Sequence, residues 1–514
     1  MMQKLIQTLL RCHFMWPAFL IISHIQARPA EPPNIIVLLA DDLGYGDVGC
    51  YNPESKVPTP NIDRLALSGM RFTDAHSPST VCTPTRFSIL TGSMCFRTGF
   101  RSVFTGVDGP LISQNTITLP EMLQDAGYHT ACFGKWHIGM TFHDSDGHPV
   151  PPRGGGLQKV RNVDFTRPIS DGPLHHGFDH FFGTVCCPTT DFLYAYIDGN
   201  RVTEIPDQFT PTPEGTWLDY HFHRPGLTSP DFKFDQVDLV FLEKTREFLG
   251  NHRHESGDRP FFLYHCFQSA HLPAIPAPEF VGSTSAGPLG DFIHQLDFMV
   301  GEIVESLREN QLLDNTLIIF TSDNGPEIIA DKVLRDFDHD SARPWRGLKR
   351  DNWEGGHRVP FIASWPGVIP PGTSSSHPLC LTDIYATCAG FAGADIPTGQ
   401  GPDSFDLSAV FTSPDHPVIR DHLLHQTINN SLAIRVGPWK LLDHAGSGGN
   451  NYKNPSLAPR LPENFDLTSP VQLYNLEQDP HEDTNLAPEY PELVRSLKSR
   501  LDYYRASGQS IHLE

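Results

Sequence analysis

Cys82 stands in the run Cys82-Thr83-Pro84-Thr85-Arg86, with Leu90-Thr91-Gly92 close behind. Pro84 suits the first position of a helix, where its missing N–H costs nothing, with Thr83 as the cap. That places Cys82 at a helix amino terminus, whose unpaired N–H groups and positive dipole end favour an anion, and Arg86 one turn on adds a fixed cation. A reactive cysteine fits this position, and so does an ordinary structural one. Asp41-Asp42 and Asp323-Asn324 offer only oxygen ligands, which suit a hard cation such as Ca²⁺ rather than zinc. Asp and Asn also favour solvated turns; two such pairs, each closing a buried apolar run, favour the metal. Lys135 and His137 are two apart, so on an extended segment both point towards one site.

The elements that must hold these groups are legible as patterns. Asn34–Ala40 (Asn-Ile-Ile-Val-Leu-Leu-Ala) is a continuous apolar run with β-branched residues, which predicts a strand buried on both faces and ending at Asp41-Asp42. Pro260–His265 leads in the same way towards His271, and Thr316–Ser322 towards Asp323-Asn324. Helical spacing appears in Thr118–Ala126, Phe234–Leu249 and Gly290–Asn310. Strands alternating with helices imply a largely parallel sheet covered on both faces, with ligands gathered beyond the carboxyl ends of its strands. Met140–His176, rich in Gly, Pro, His and Asp, reads as a long surface loop; a substrate-facing insertion and an uninvolved excursion both fit it. It lacks the spacing of a phosphate-cradling loop. Leu432–Leu442 looks like a hairpin and Pro491–Tyr504 like a closing helix, which together predict a small carboxy-terminal subdomain.

Bulk properties narrow the classes. With 19% charged and 39% hydrophobic residues among 514, the chain reads as globular α/β, a large domain with a smaller one. A formal net charge of −22 opposes a nucleic-acid partner, because phosphate backbones need a basic face. Any anionic substrate must therefore meet a local cationic pocket. Lys4 and Arg11 precede an apolar stretch from Phe14 to Ile22, with Ala27 and Ala30 following, so residues 1–30 read as a signal peptide too short to span a bilayer. Residues 31–420 are then the catalytic domain and 421–514 the subdomain, and no transmembrane segment is expected in the mature protein. Ten cysteines without repeated C-x-x-C pairs exclude a disulfide-dense scaffold and a zinc ribbon, while leaving room for one or two bridges.

Cys-x-Pro-x-Arg followed by Leu-Thr-Gly resembles the modification signature of the formylglycine-dependent (type I) sulfatases, in which a dedicated enzyme oxidises the cysteine to an aldehyde. The likeness extends along the chain in order. Pro33-Asn34-Ile35-Ile36 through Asp47 and Thr59–Ala66 are similar to the family's opening motifs, and Gly127–His137 to its second signature. Thr321–Gly325, Arg346–Lys349, Trp353–Gly356 and Leu473–Leu476 follow. The resemblance, closest to arylsulfatases and N-acetylgalactosamine-6-sulfatases, implies an alkaline-phosphatase-like fold: a large, mainly parallel sheet flanked by helices, with a small antiparallel sheet plus helix at the carboxy terminus. It implies one Ca²⁺ held by Asp41, Asp42, Asp323, Asn324 and the residue derived from Cys82. It also implies a formylglycine hydrate that attacks sulfur with help from Asp323, His271 as donor to the leaving alcohol, and His137 as the base that expels sulfate. Lys135 and Lys349 would bind sulfate oxygens, and Arg86 would hold the hydrate and the metal ligands. Arg350 and His357 stand where relatives often differ.

The expected activity is hydrolysis of a sulfate monoester on a saccharide or aryl group, with 6-sulfated galactose or N-acetylgalactosamine the sugar that the resemblance implies, in a periplasmic, extracellular or lysosome-like compartment. A formylglycine-generating or sulfatase-maturating enzyme is the implied partner. Two other readings use the same residues: a phosphate or phosphonate monoester hydrolase of this superfamily, and a non-catalytic binder of sulfated glycans in which Cys82 stays a thiol.

Overall fold

The apolar run Asn34–Ala40 is strand β1, and all of it is buried. The computed structural model describes residues 31–216 and 219–511, so the expected signal segment lies outside the described residues. Next in the chain come helix α1 (Cys82–Thr91), β2 (His129–Lys135) and β3 (His180–Thr184). Helix α2 (Val237–Ser256), β4 (Phe261–Cys266), α3 (Gly287–Glu309), β5 (Thr316–Ser322) and β6 (Phe361–Ser364) follow. The strands lie in a 10-stranded sheet whose centre runs β6-β5-β1-β4-β2-β3. From β5 to β3 every pairing is parallel; Leu38, for example, sits opposite both His265 and Phe320. β6 pairs antiparallel with β5.

A strand buried on both faces cannot show polar alternation, which is why β1, β4 and β5 read as unbroken runs. Their period of two appears instead in how they divide between two cores. Ile35, Val37 and Leu39 join Phe262, Tyr264, Leu317, Ile319 and the α1 residues Phe87, Ile89 and Leu90 on one face. Ile36 and Leu38 join Leu263, Ile318 and Phe320 under α2 and α3 on the other, where Phe241, Phe248, Ile293, Leu296 and Val300 cover the sheet. β1, β4 and β5 therefore release their chains at the same sheet end, delivering Asp41, the Gln268–His271 turn and Asp323 to one place.

Three expectations need correction. The Met140–His176 segment is not a plain surface loop: it holds a short helix at Gly156–Arg161 and sends Met140, Phe142, Val160 and Ile169 into the core. The nine cysteines among the described residues are all free, so no bridge forms among them. Helix α1 starts at Cys82 with Val81 as its cap residue, and the Thr83 hydroxyl instead accepts the Phe104 N–H at 3.1 Å. At the carboxy terminus the expected hairpin (Leu432–Val436, Trp439–Leu442) is the middle of a 4-stranded antiparallel sheet, against which helix Pro491–Ser507 packs Leu497, Leu501 and Tyr504.

Candidate active site

Cys82 is the first residue of α1 and is 1% exposed. Burial alone would push its thiol up, yet a hydrogen bond from Cys187 and the charges of Lys135, His137 and Lys349 hold it well below the ordinary range. The pocket floor is thus arranged to keep negative charge on residue 82. One turn on, Arg86 is fully buried: its guanidinium meets Asp323 at 2.9 Å and Asp41 at 3.3 Å, and donates to the Lys135 carbonyl at 2.8 Å. A buried arginine with those partners fixes α1 against the ends of β1, β2 and β5.

The carboxylates converge around residue 82. Sγ of Cys82 lies within 4.8 Å of carboxylate oxygens of Asp41 and Asp323. Asn324 donates to Asp42 at 2.7 Å, and Lys349 binds Asp42 at 2.7 Å. Lys135 pairs with Asp41. Burial raises Asp42 to about 7 against the pull of Lys349, with the charge of Asp41 adding to the rise. Burial and the charge of Asp41 likewise push Asp323 up, whereas Lys135, His271 and Arg86 overcome burial to bring Asp41 down to about 2. Asp41 Oδ1 and Asn324 Oδ1 are buried with no hydrogen-bond partner among the described residues. Two orphaned oxygen acceptors beside mutually repelling carboxylates are what a hard dication would satisfy, and the all-oxygen donor set fits Ca²⁺.

Lys135 and His137 both approach residue 82, but not by strand alternation. β2 ends at Lys135; His137 adopts φ 61° and follows the end of β3 through its N–H to the Val185 carbonyl at 2.9 Å. Asp42 and Arg350 share this left-handed backbone, a strained conformation for residues with a side chain that recurs at functional sites. His137 Nε2 donates to the Phe104 carbonyl at 3.0 Å, and its Nδ1 is buried without a hydrogen-bond partner among the described residues. His271 Nδ1 donates to the Leu272 carbonyl at 2.6 Å, so its Nε2 faces Asp42 and Cys187, each 3.8 Å away. Burial and Lys349 press His271 down to about 3, so the free ring is neutral.

Of these groups Cys82, Cys187, His137, His271 and Lys349 line a pocket of about 410 Å³, while Asp41, Asp42, Arg86, Lys135, Asp323 and Asn324 are buried outside its lining. A cavity of about 450 Å³ lies elsewhere, around Asp74, Arg358 and Arg435. Arg358 and Arg435 both pair with Asp74, and none of the convergent groups is there. No residue of Met140–His176 lines the active pocket; its walls come from Val103–Thr105, Cys187–Asp191 and Phe222–Arg224. The sequence reading also missed Glu327, which accepts both guanidinium nitrogens of Arg350 at 2.5 and 2.8 Å and lies 3.7 Å from Lys349. Arg350 is thereby a wall residue of the pocket. His357 is not: it lies buried with His76 and His425. Nothing local in the sequence marks Cys187 or Glu327, since each gains its role from a contact across the fold.

The sequence model of the sulfatase family matches residues 33–394. An N-acetylgalactosamine-6-O-sulfatase of Bacteroides thetaiotaomicron is 33% identical, over 92% of this chain and 93% of that protein. Human arylsulfatase A is 32% identical over 91% of this chain and 87% of its own. A solved protein from a locus for the metabolism of multiple glycosaminoglycans in Bacteroides thetaiotaomicron superposes with a TM-score of 0.77 at 31% identity, covering 93% of this chain and 100% of that one. Formylglycine and a metal ion are general to this family, and the alkaline-phosphatase-like architecture is its fold. The chain belongs to the sulfatase family and is a sulfuric ester hydrolase.

Proposed function

We propose that the protein removes a sulfate monoester from a saccharide, using formylglycine made from Cys82 and one Ca²⁺ bound by Asp41, Asp42, Asp323, Asn324 and residue 82. The observation that carries this reading is the concentration of Lys135, Lys349, His137 and a helix amino terminus on residue 82, beside orphaned oxygens of Asp41 and Asn324. When present, hydrated formylglycine supplies an oxygen nucleophile and the cation polarises it.

The chain's own groups account for the rest. Lys135 and Lys349 neutralise sulfate oxygens as charge builds in the transition state. Asp323 takes the proton of the attacking hydroxyl. His271 Nε2 gives a proton to the departing alcohol; burial opposes that charged form, so the substrate's own anion must compensate it. His137, whose Nδ1 has no hydrogen-bond partner among the described residues, accepts the second hydroxyl proton there as sulfate leaves. Arg86 holds Asp41 and Asp323 in place throughout.

A 6-sulfated N-acetylgalactosamine unit is the substrate that the names of the relatives support, with 6-sulfated galactose the related sugar of the sequence reading. The segment 1–30 supports export to a periplasmic, extracellular or lysosome-like compartment, with maturation by a formylglycine-generating or sulfatase-maturating enzyme. The test is sulfate release from a panel of sulfated saccharides, alongside mass spectrometry of the peptide holding Cys82. Conversion lowers that peptide by about 18 Da. Sulfate release that tracks the converted fraction is expected. Faster turnover of aryl phosphate than of any sulfate, or activity with an unconverted thiol, would overturn the proposal.

A further inference from the structure

The charges at the base of the pocket close on themselves. Arg86 pairs with Asp323 and Asp41, Lys135 with Asp41, Lys349 with Asp42, and Arg350 with Glu327. Arg224, in the pocket wall, stands outside this set: it is exposed, and no ion pair to it is found among the described residues. Asp191, a carboxyl in the same wall that burial pushes up against the charge of Arg224, is 2% exposed and spends Oδ1 on the N–H groups of Gly106 and Phe192, at 2.7 and 3.0 Å. In a chain of net charge −22, an unpaired cation facing the substrate pocket is a selective attractor for anions.

Arg224 is also placed rather than loose. Its carbonyl accepts the Tyr194 hydroxyl at 2.5 Å, and its guanidinium lies 5.4 Å from the centre of the Phe192 ring. Two residues on, the strand Gly226–Thr228 pairs in parallel with Leu193–Tyr194, so Arg224 and Asp191 flank one short sheet at the pocket wall. Phe222, Leu272 and Ile428 add apolar side chains to the lining of the same pocket.

We infer that Arg224 binds a second anionic group of the substrate, a carboxylate or sulfate on the saccharide unit adjoining the sulfated one, so that the preferred substrate is an acidic oligosaccharide rather than an isolated sulfated sugar or an aryl sulfate. This rests on the saccharide sulfatase reading and deepens it. The test compares 6-sulfated N-acetylgalactosamine linked to a uronate, to a neutral galactose, or to a sulfated galactose, with wild type, Arg224→Ala and Arg224→Lys.

In the wild type, kcat/KM for an acidic disaccharide should exceed that for the neutral one by about ten- to a hundredfold, the range of a hydrogen-bonded ion pair. Whichever acidic arm carries the excess identifies the anion. Arg224→Ala should abolish the excess mainly through KM, and Arg224→Lys should restore part of it. Equal kcat/KM for acidic and neutral arms in the wild type, or an equal loss on all three in Arg224→Ala, overturns the inference while leaving the sulfatase reading intact. Absence of sulfate release from all three by converted protein counts against that reading instead. Titration with the desulfated uronate disaccharide then decides the role of Arg224: binding weakened at least tenfold in Arg224→Ala supports it, and equal or no binding by both proteins overturns it.

Discussion

Asp41 Oδ1 and Asn324 Oδ1 are the atoms whose environment is least explicable by protein contacts alone, because burial without a hydrogen bond costs each acceptor about 1–3 kcal/mol. If Ca²⁺ answers that cost, chelation should lower the thermal midpoint of the wild type by several degrees, and Asn324→Leu, which removes the orphan, should show a much smaller drop. Equal sensitivity to chelator in both proteins would place the cation elsewhere. His137 invites a different measurement. With its Nδ1 lone pair assigned to the second step, His137→Ala should release about one equivalent of aryl alcohol per converted enzyme in a rapid burst and then turn over roughly 10²–10⁴-fold more slowly. A slow first turnover without a burst would assign His137 to the attack step. Residues such as Cys82, Asp41 and Lys349 could be picked out from sequence because each sits in a local motif. Glu327 and Arg224 could not, because the Glu327–Arg350 pair and the isolation of Arg224 arise only when distant segments meet.

The elements that deliver these residues were the most legible part of the chain. β1 and β5 have the residues read from the sequence, since a parallel strand buried on both faces favours an unbroken run of apolar and β-branched side chains. Helix limits moved more: α2 runs on to Ser256, past a polar stretch that shows no apolar period. The capping of α1 was misread because Pro84 tolerates any first-turn position, so it could not say that Cys82 and Thr83 are already helical. The Met140–His176 segment was misread because its few apolar residues are scattered among turn formers, yet Phe142, Val160 and Ile169 find the core. The corrected start of α1 sharpens one expectation. Cys82 occupies the first helical position and leans on charged neighbours more than on the apolar core, so Cys82→Ala should abolish sulfate release while the denaturation midpoint shifts little. A loss of more than about 3 kcal/mol, the scale of a large core truncation, would make Cys82 a structural residue instead.

Across the whole molecule, acid sensitivity is written into the seam between the large sheet and the carboxy-terminal sheet. His76, beside the large sheet, His357, in the turn after Trp353–Gly356, and His425, on the carboxy-terminal sheet, are all fully buried, with the His357 and His425 rings stacked at 3.7 Å. His76 and His357 share a 3.0 Å contact between Nδ1 atoms, and the surrounding charges are Asp74, Glu354, Glu482, Lys440, Arg358 and Arg435. Burial drives all three rings below their ordinary value, with the other histidines and Lys440 reinforcing the shift in His357 and His425. The unfolded chain therefore binds protons near pH 6.5 that the native seam refuses, and the seam's contribution to stability falls as pH drops below about 6.5. Each ring can contribute up to about 1.4 kcal/mol of loss by pH 5.5. Asp238 and Asp297, each raised to about 6 by burial, act in the opposite direction because the native state takes their protons first. The informative quantity is thus a difference. His425→Phe keeps a ring against His357 but removes one titrating group, so its thermal midpoint should fall less steeply than that of the wild type between pH 7 and 5.5. Parallel slopes for the two proteins would mean that the seam is already protonated, or open to water, at neutral pH.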